Sequence, residues 1–107
     1  MKIKQEIIDI TEAIKSAVPA ERIYLFGSHA YGTPNEESDY DFFVLIPDGG
    51  IKPIDAMMDA RKAIRKADKW VPIDVLADYK SRFFDRSKYN TMERIIARDG
   101  VILYERT

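Results

Sequence analysis

The chain has 107 residues, the size of one ordinary domain, and with 46% hydrophobic and 33% charged residues it is too apolar to be a disordered chain. Lys and Arg total 17 against 18 for Asp and Glu, so no overall field draws it toward nucleic acid or an anionic membrane, and neither is expected as a partner beyond what a local patch could hold. The absence of cysteine excludes a disulfide framework and thiolate metal sites, which leaves oxygen ligands for any metal.

One domain over residues 1–107 is expected, in chain order as follows. Met1-Lys2-Ile3-Lys4-Gln5-Glu6 leads into an amphipathic pattern instead of a signal peptide, and no stretch approaches the roughly 20 apolar residues of a membrane span, so a cytoplasmic protein is expected. Ile3, Ile7, Ile8, Ile10, Ile14, Ala17 and Val18 recur at mostly three- and four-residue steps and predict a first helix ending near Pro19. Arg22 to Phe26 is a short β-rich run that Gly27 stops, so the first strand delivers its end to a Gly27-Ser28 turn. Thr33 to Ser38 carries turn residues, and Asp39 to Ile46 is a second strand, apolar on both faces and therefore expected at the centre of a sheet. After Pro47-Asp48-Gly49-Gly50 comes a helix over Ile54 to Asp68, with Ile54, Met57, Met58, Ile64 and Ala67 expected on its buried side. Val71 to Ala77 is a third strand, Asp78 to Tyr89 a weakly patterned helix, and Thr91 to Arg98 a clearer one. Asp99-Gly100 turns the chain into a last strand, Val101 to Tyr104. The order predicts an α/β (α+β) fold, a small mixed sheet with helices packed on it.

Three carboxylates and one small-residue turn carry the chemistry. Side chains of a strand alternate, so Asp39 and Asp41 are expected on one face, where they could share a divalent ion; magnesium favours oxygen ligands and completes its shell with water and phosphate. Asp74 lies in the apolar run Val71-Pro72-Ile73-Asp74-Val75-Leu76. A buried carboxylate there is costly unless a cation meets it, a metal ion or an arginine such as Arg22. Were the second and third strands neighbours, the three acids would converge, raise one another's pKa and call for a divalent ion. Gly27 allows close approach of a phosphate, and Ser28 offers its hydroxyl and backbone N–H. Arg61, Lys62, Arg65, Lys66 and Lys69 read as a solvated basic face, and Tyr79, Phe83, Phe84 and Tyr89 as core.

Gly27-Ser28, ten residues, Asp39-Tyr40-Asp41, and the later strand acid Asp74 together resemble the minimal nucleotidyltransferases of the DNA polymerase β superfamily. Nearly the whole chain is similar, including Ser38 to Val44, Ile73 to Leu76 and Asp99 to Tyr104. The resemblance implies a polymerase β-like fold and transfer of a nucleoside monophosphate from ATP or another NTP to an acceptor hydroxyl with two Mg2+ ions. It makes Asp39, Asp41 and Asp74 the catalytic, metal-holding acids, with Asp74 on the acceptor side, and Gly27 and Ser28 the nucleotide-binding turn. Many relatives read Gly-Ser-Arg-Ala-Arg-Gly, where this chain has Gly27-Ser28-His29-Ala30-Tyr31-Gly32, so both arginines of that segment are replaced. A chain this short has little room for an acceptor pocket. The resemblance implies a partner that supplies the acceptor, a helical HEPN toxin protein that the transferase, as antitoxin, modifies with AMP in a hetero-oligomer. The alternatives are a non-catalytic nucleotide- or partner-binding module, and a homo-oligomeric transferase acting on a small molecule of the aminoglycoside type.

Overall fold

The computed structural model describes residues 3–32, 39–69 and 71–107. The turn expected over 33–38 lies outside them. In chain order the elements are α1 (Gln5–Ala17), β1 (Arg22–Phe26), α2 (Ser28–Tyr31), β2 (Tyr40–Ile46), α3 (Pro53–Lys66), β3 (Ile73–Tyr79), α4 (Lys80–Arg86), α5 (Met92–Asp99) and β4 (Val101–Glu105). The strands form one mixed sheet in the order β3-β2-β1-β4. β1 is antiparallel to both of its neighbours, and β2 runs parallel to β3. A parallel pair needs a long crossover, which α3 supplies.

β2 is interior, as its unbroken apolar run demands, and every residue from Phe42 to Ile46 is buried. Strand alternation then sorts the core into two layers. Ile23, Leu25, Phe42, Val44, Ile46 and Val75 face α1 and α3, which contribute Ile7, Ile10, Ile14, Ala56, Ala60 and Ile64. Tyr24, Phe43 and Leu45 face the other way and meet Phe83 of α4 and Ile96 of α5, with Phe26, Leu76 and Phe84 at the margin. The second layer is built on aromatic contacts, Tyr24 and Phe43 lying 5.5 and 5.1 Å from the Phe83 ring.

The helices have local causes. Pro53 opens α3, where its missing N–H costs nothing, with Asp55 in the first turn and Arg65 and Lys66 in the last. Thr91 caps α5 by accepting a hydrogen bond from the Arg94 amide at 3.3 Å. The Arg86 guanidinium donates to the buried carboxylate of Glu93, tying α4 to α5.

Three expectations are corrected here. α3 buries Ala56, Ala60 and Ile64, whereas Ile54 and Met58 are exposed: small alanines let the helix lie close to the sheet and to α1, and that fixed the inward face. Tyr89 is 63% exposed, because α4 ends at Arg86 and leaves it in the following turn, so of the expected aromatic core Phe83 alone is fully buried. The third strand is shifted by two residues to Ile73–Tyr79, since its pairing with β2 begins at Tyr40 opposite Ile73.

Candidate active site

One end of the sheet gathers the end of β1, the starts of β2 and β3, and α2. Asp41 is registered with Asp74 across the parallel β2–β3 pair and with Phe26 across β1. By alternation both acids lie on the face of Phe43 and Leu76, at the strand ends beyond the aromatic layer. Asp39 is exposed and stands just before β2, so strand alternation does not fix its direction; it is nevertheless close enough to act on Asp41 through its charge. Burial, the most important cause, together with the carboxylates of Asp74 and Asp39, pushes the Asp41 carboxyl above its ordinary range, with His29 pulling the other way.

Gly27 has a reason that the sequence did not disclose. Its backbone is left-handed, at φ +73°, and a Cβ placed on it would stand 2.1 Å from Asp41 Oδ2. The turn therefore presses directly on the central carboxylate. Gly27 also accepts hydrogen bonds through its carbonyl from the amides of Ala30 and Tyr31, closing the single helical turn of α2, which Gly32 ends at φ +84°. Ser28 thus opens the one-turn helix directly after the close-packed Gly27. The first amides of a helical turn have no acceptor inside it and can face a ligand.

Asp74 is not buried. Its side chain is 49% exposed and pairs with Arg61 of α3 at 3.5 Å, whereas Arg22 is engaged far away by Glu105 at 2.6 Å and the Tyr24 hydroxyl at 2.8 Å. An apolar run implies burial only for a strand covered on both sides; β3 is an edge strand, and Asp74 lies one residue from its start. His29 is buried with its ring 4.4 Å from that of Tyr40, which makes it a packing residue beneath the site. Tyr31, in place of an arginine, is a further neighbour: burial pushes its phenol up, and it is within electrostatic reach of Asp99, Arg98 and Asp41. Sequence reasoning missed Arg61 as a site neighbour, since it arrives through the packing of α3, whereas Tyr31 belongs to the Gly27–Gly32 segment already singled out.

Among the described residues no three acidic or imidazole side chains stand close enough to make a ready metal cage. The donor set still suits magnesium, which is usually held by one or two carboxylates and completes its shell with water and phosphate oxygens. Asp41 and Asp74 face each other across one strand spacing, with Asp39 beside them.

The nucleotidyltransferase domain family matches residues 7–98, and the chain belongs to it. Among solved structures it is similar to a toxin-antitoxin with AMP-PNP, at a TM-score of 0.62 and 20% identity over 97% of this chain and 76% of that one. It is also similar to a candidate nucleotidyltransferase from Sulfolobus solfataricus, at 0.63 and 21% over 95% and 79%. A mutant of the toxin-antitoxin MntA-HpeT follows, at 0.59 and 20% over 92% and 72%. At these identities the likeness is one of fold. A search of curated protein sequences finds no significant match. The chain is accordingly a nucleotidyltransferase with a polymerase β-like fold, a small mixed α/β sheet carrying helices on both faces. None of the described helices is long and apolar enough to cross a membrane.

Proposed function

We propose that the chain transfers AMP from ATP to a hydroxyl of a protein partner, a helical HEPN-type toxin that it restrains as antitoxin in the cytoplasm. The observation that carries the transfer is the registration of Asp41 with Asp74 beside the Gly27-Ser28 turn. The choice of ATP and of a toxin as acceptor draws support from fold neighbours described as toxin-antitoxin pairs, one of them with AMP-PNP.

Asp39, Asp41 and Asp74 would hold two magnesium ions, which when bound neutralise the phosphates and support an in-line displacement. Ser28 donates from its hydroxyl and amide to the β- and γ-phosphates, and Gly27 keeps the turn close enough for Asp41 to stand beside it. A carboxylate oxygen of Asp74 accepts the proton of the acceptor hydroxyl. The acceptor oxygen then forms its bond to the α-phosphorus while the bond from that phosphorus to the bridging oxygen breaks, and pyrophosphate leaves. One domain over residues 1–107 suffices for this half of the site, and the partner brings the hydroxyl.

The test is label transfer from α-labelled ATP with magnesium into a lysate of the source cell, comparing the wild type with Asp41→Asn. Protease-sensitive label that requires Asp41 supports the proposal, and the labelled band identifies the partner. Nuclease-sensitive label moves the acceptor to nucleic acid. Bound ATP with no Asp41-dependent label would leave a binding module.

A further inference from the structure

Arg61, Lys62, Arg65 and Lys66 of the basic stretch are exposed, as expected, but they do not form one face. Helical spacing divides the stretch into two stripes: Arg61 and Arg65, one turn apart and continued by Lys69 beyond the helix end, and Lys62 with Lys66 on another side. The first stripe lines a cleft of about 320 Å³ floored by Ile64, Val71 and Ile73, between the second half of α3 and the start of β3. The cleft adjoins the active site, because Arg61 both lines it and reaches Asp74 Oδ1 at 3.5 Å. Its inner wall is fixed to the site as well, the Tyr40 amide donating to the Pro72 carbonyl at 3.0 Å.

We infer that this cleft receives an acidic segment of the protein acceptor, one or more Asp or Glu side chains close in sequence to the hydroxyl that is modified. The inference rests on the reading of Asp74 as the acceptor-side carboxylate. The cations of the cleft already hold carboxylates: Arg61 takes Asp74, and Lys69 takes Asp9 at 3.3 Å. Both contacts are long and partly solvated, so exchanging one carboxylate for another costs little. Arg65 has no ion-pair partner among the described residues and offers a planar fork suited to a carboxylate. The apolar floor suits the methylene stem of an acidic side chain. A polynucleotide is less well matched, since the three cations line one short cleft and the whole chain has a net charge of −1.

The experiment is fluorescence anisotropy with the full chain at low ionic strength. Its probes are a capped, labelled peptide with one tyrosine between pairs of acidic residues, the same peptide with Asn and Gln in their place, and a short oligoribonucleotide. The acidic peptide is expected to bind, its amide counterpart not. Arg65→Ser should weaken binding about tenfold, the loss of one charge-assisted contact, while Lys66→Ser, an equal change of charge on the neighbouring stripe, should alter it less than about twofold. Equal losses from the two variants would show a general field and overturn the inference, as would no peptide binding. Binding of the oligoribonucleotide alone, lost in Arg65→Ser, would overturn it in favour of a nucleic-acid acceptor. Label transfer from α-labelled ATP into the lysate, run beside it, separates the two readings. Arg65-dependent peptide binding by a chain that labels no protein upholds the cleft and removes the transfer reading; transfer with peptide binding insensitive to Arg65 removes the cleft alone.

Discussion

The two faces of the sheet are packed to different ends. Toward α1 and α3 the core is mainly aliphatic and extends over all four strands, with Ile73 and Val101 packed against it at the strand starts. Toward α4 and α5 it is smaller and aromatic, centred on Phe83; on β2 and β3 it stops at Phe43 and Leu76, one pleat short of Asp41 and Asp74, and only Phe26 of β1 reaches the level of Asp41. The site occupies the ground that the smaller layer leaves uncovered. The aliphatic face carries the larger part of the core, and the aromatic face leaves Asp74 half exposed at its end.

The difference is sharpened first by Asp41→Asn, for which the largest effect is expected. Label transfer should fall about a thousandfold, roughly 4 kcal/mol of barrier, with the fold retained. Activity within threefold of wild type would place the chemistry elsewhere. Phe83→Ala comes next: removing the ring that Tyr24 and Phe43 pack on should cost about 4 kcal/mol in a denaturant titration. Because that layer underlies the site, Phe83→Ala should lower kcat even where the protein remains folded. Ile10→Ala, at about 3 kcal/mol in the opposite layer, should leave kcat unchanged at a permissive temperature. If both variants affected kcat alike, the proposed division of labour between the faces would be wrong.

A smaller effect separates two glycines of one turn. Gly27→Ala forces a methyl into the Asp41 carboxylate at a left-handed φ and should cost roughly 1–3 kcal/mol and a large part of the activity. Gly32→Ala meets nothing within 4 Å and should cost only the strain of its φ of +84°, about 1 kcal/mol, with transfer little altered. Thermal melts beside transfer rates check both; equal losses of activity would remove the special role of Gly27.

Much of this arrangement was legible in the sequence, and the gaps have physical causes. β1 falls at Arg22–Phe26 as read, and β2 is central, because local runs and their bounding glycines are decided within the segment itself. Local pattern cannot decide whether β2 and β3 are neighbours; the structure makes them so and registers Asp41 with Asp74. The exposure of Asp74 was misjudged because an edge and a central strand can share one apolar pattern. Ile54 and Met58 were placed inward on hydrophobicity, whereas close packing of Ala56 and Ala60 decided the face. Arg61 is exposed, as a solvated basic stretch predicts, and only the separation of α3 into stripes against β3 shows that it also touches Asp74.

The smallest expected effect concerns the uncovered acids themselves. Asp41 has its native pKa raised above the ordinary 3.8, chiefly by burial and then by Asp74 and Asp39. The folded state therefore binds the Asp41 proton more tightly than the unfolded chain does. This contribution to stability is fully present below the unfolded value and is lost as pH rises through the native one. In divalent-free buffer Asp41→Asn, neutral throughout, should match the wild type below pH 3.8 and gain on it toward neutrality. The gain should be roughly a degree or two in melting temperature, since solvent screens a half-buried group, and it should shrink with added salt. The aliphatic layer, which carries no such cluster, predicts no corresponding pH term for Ile10→Ala. A wild-type melting temperature that rose relative to Asp41→Asn over that range would mean that Asp41 is stabilised by its surroundings. The uncovered end of the sheet would then be ordinary surface instead of a place where stability is given up for a cation and a nucleotide.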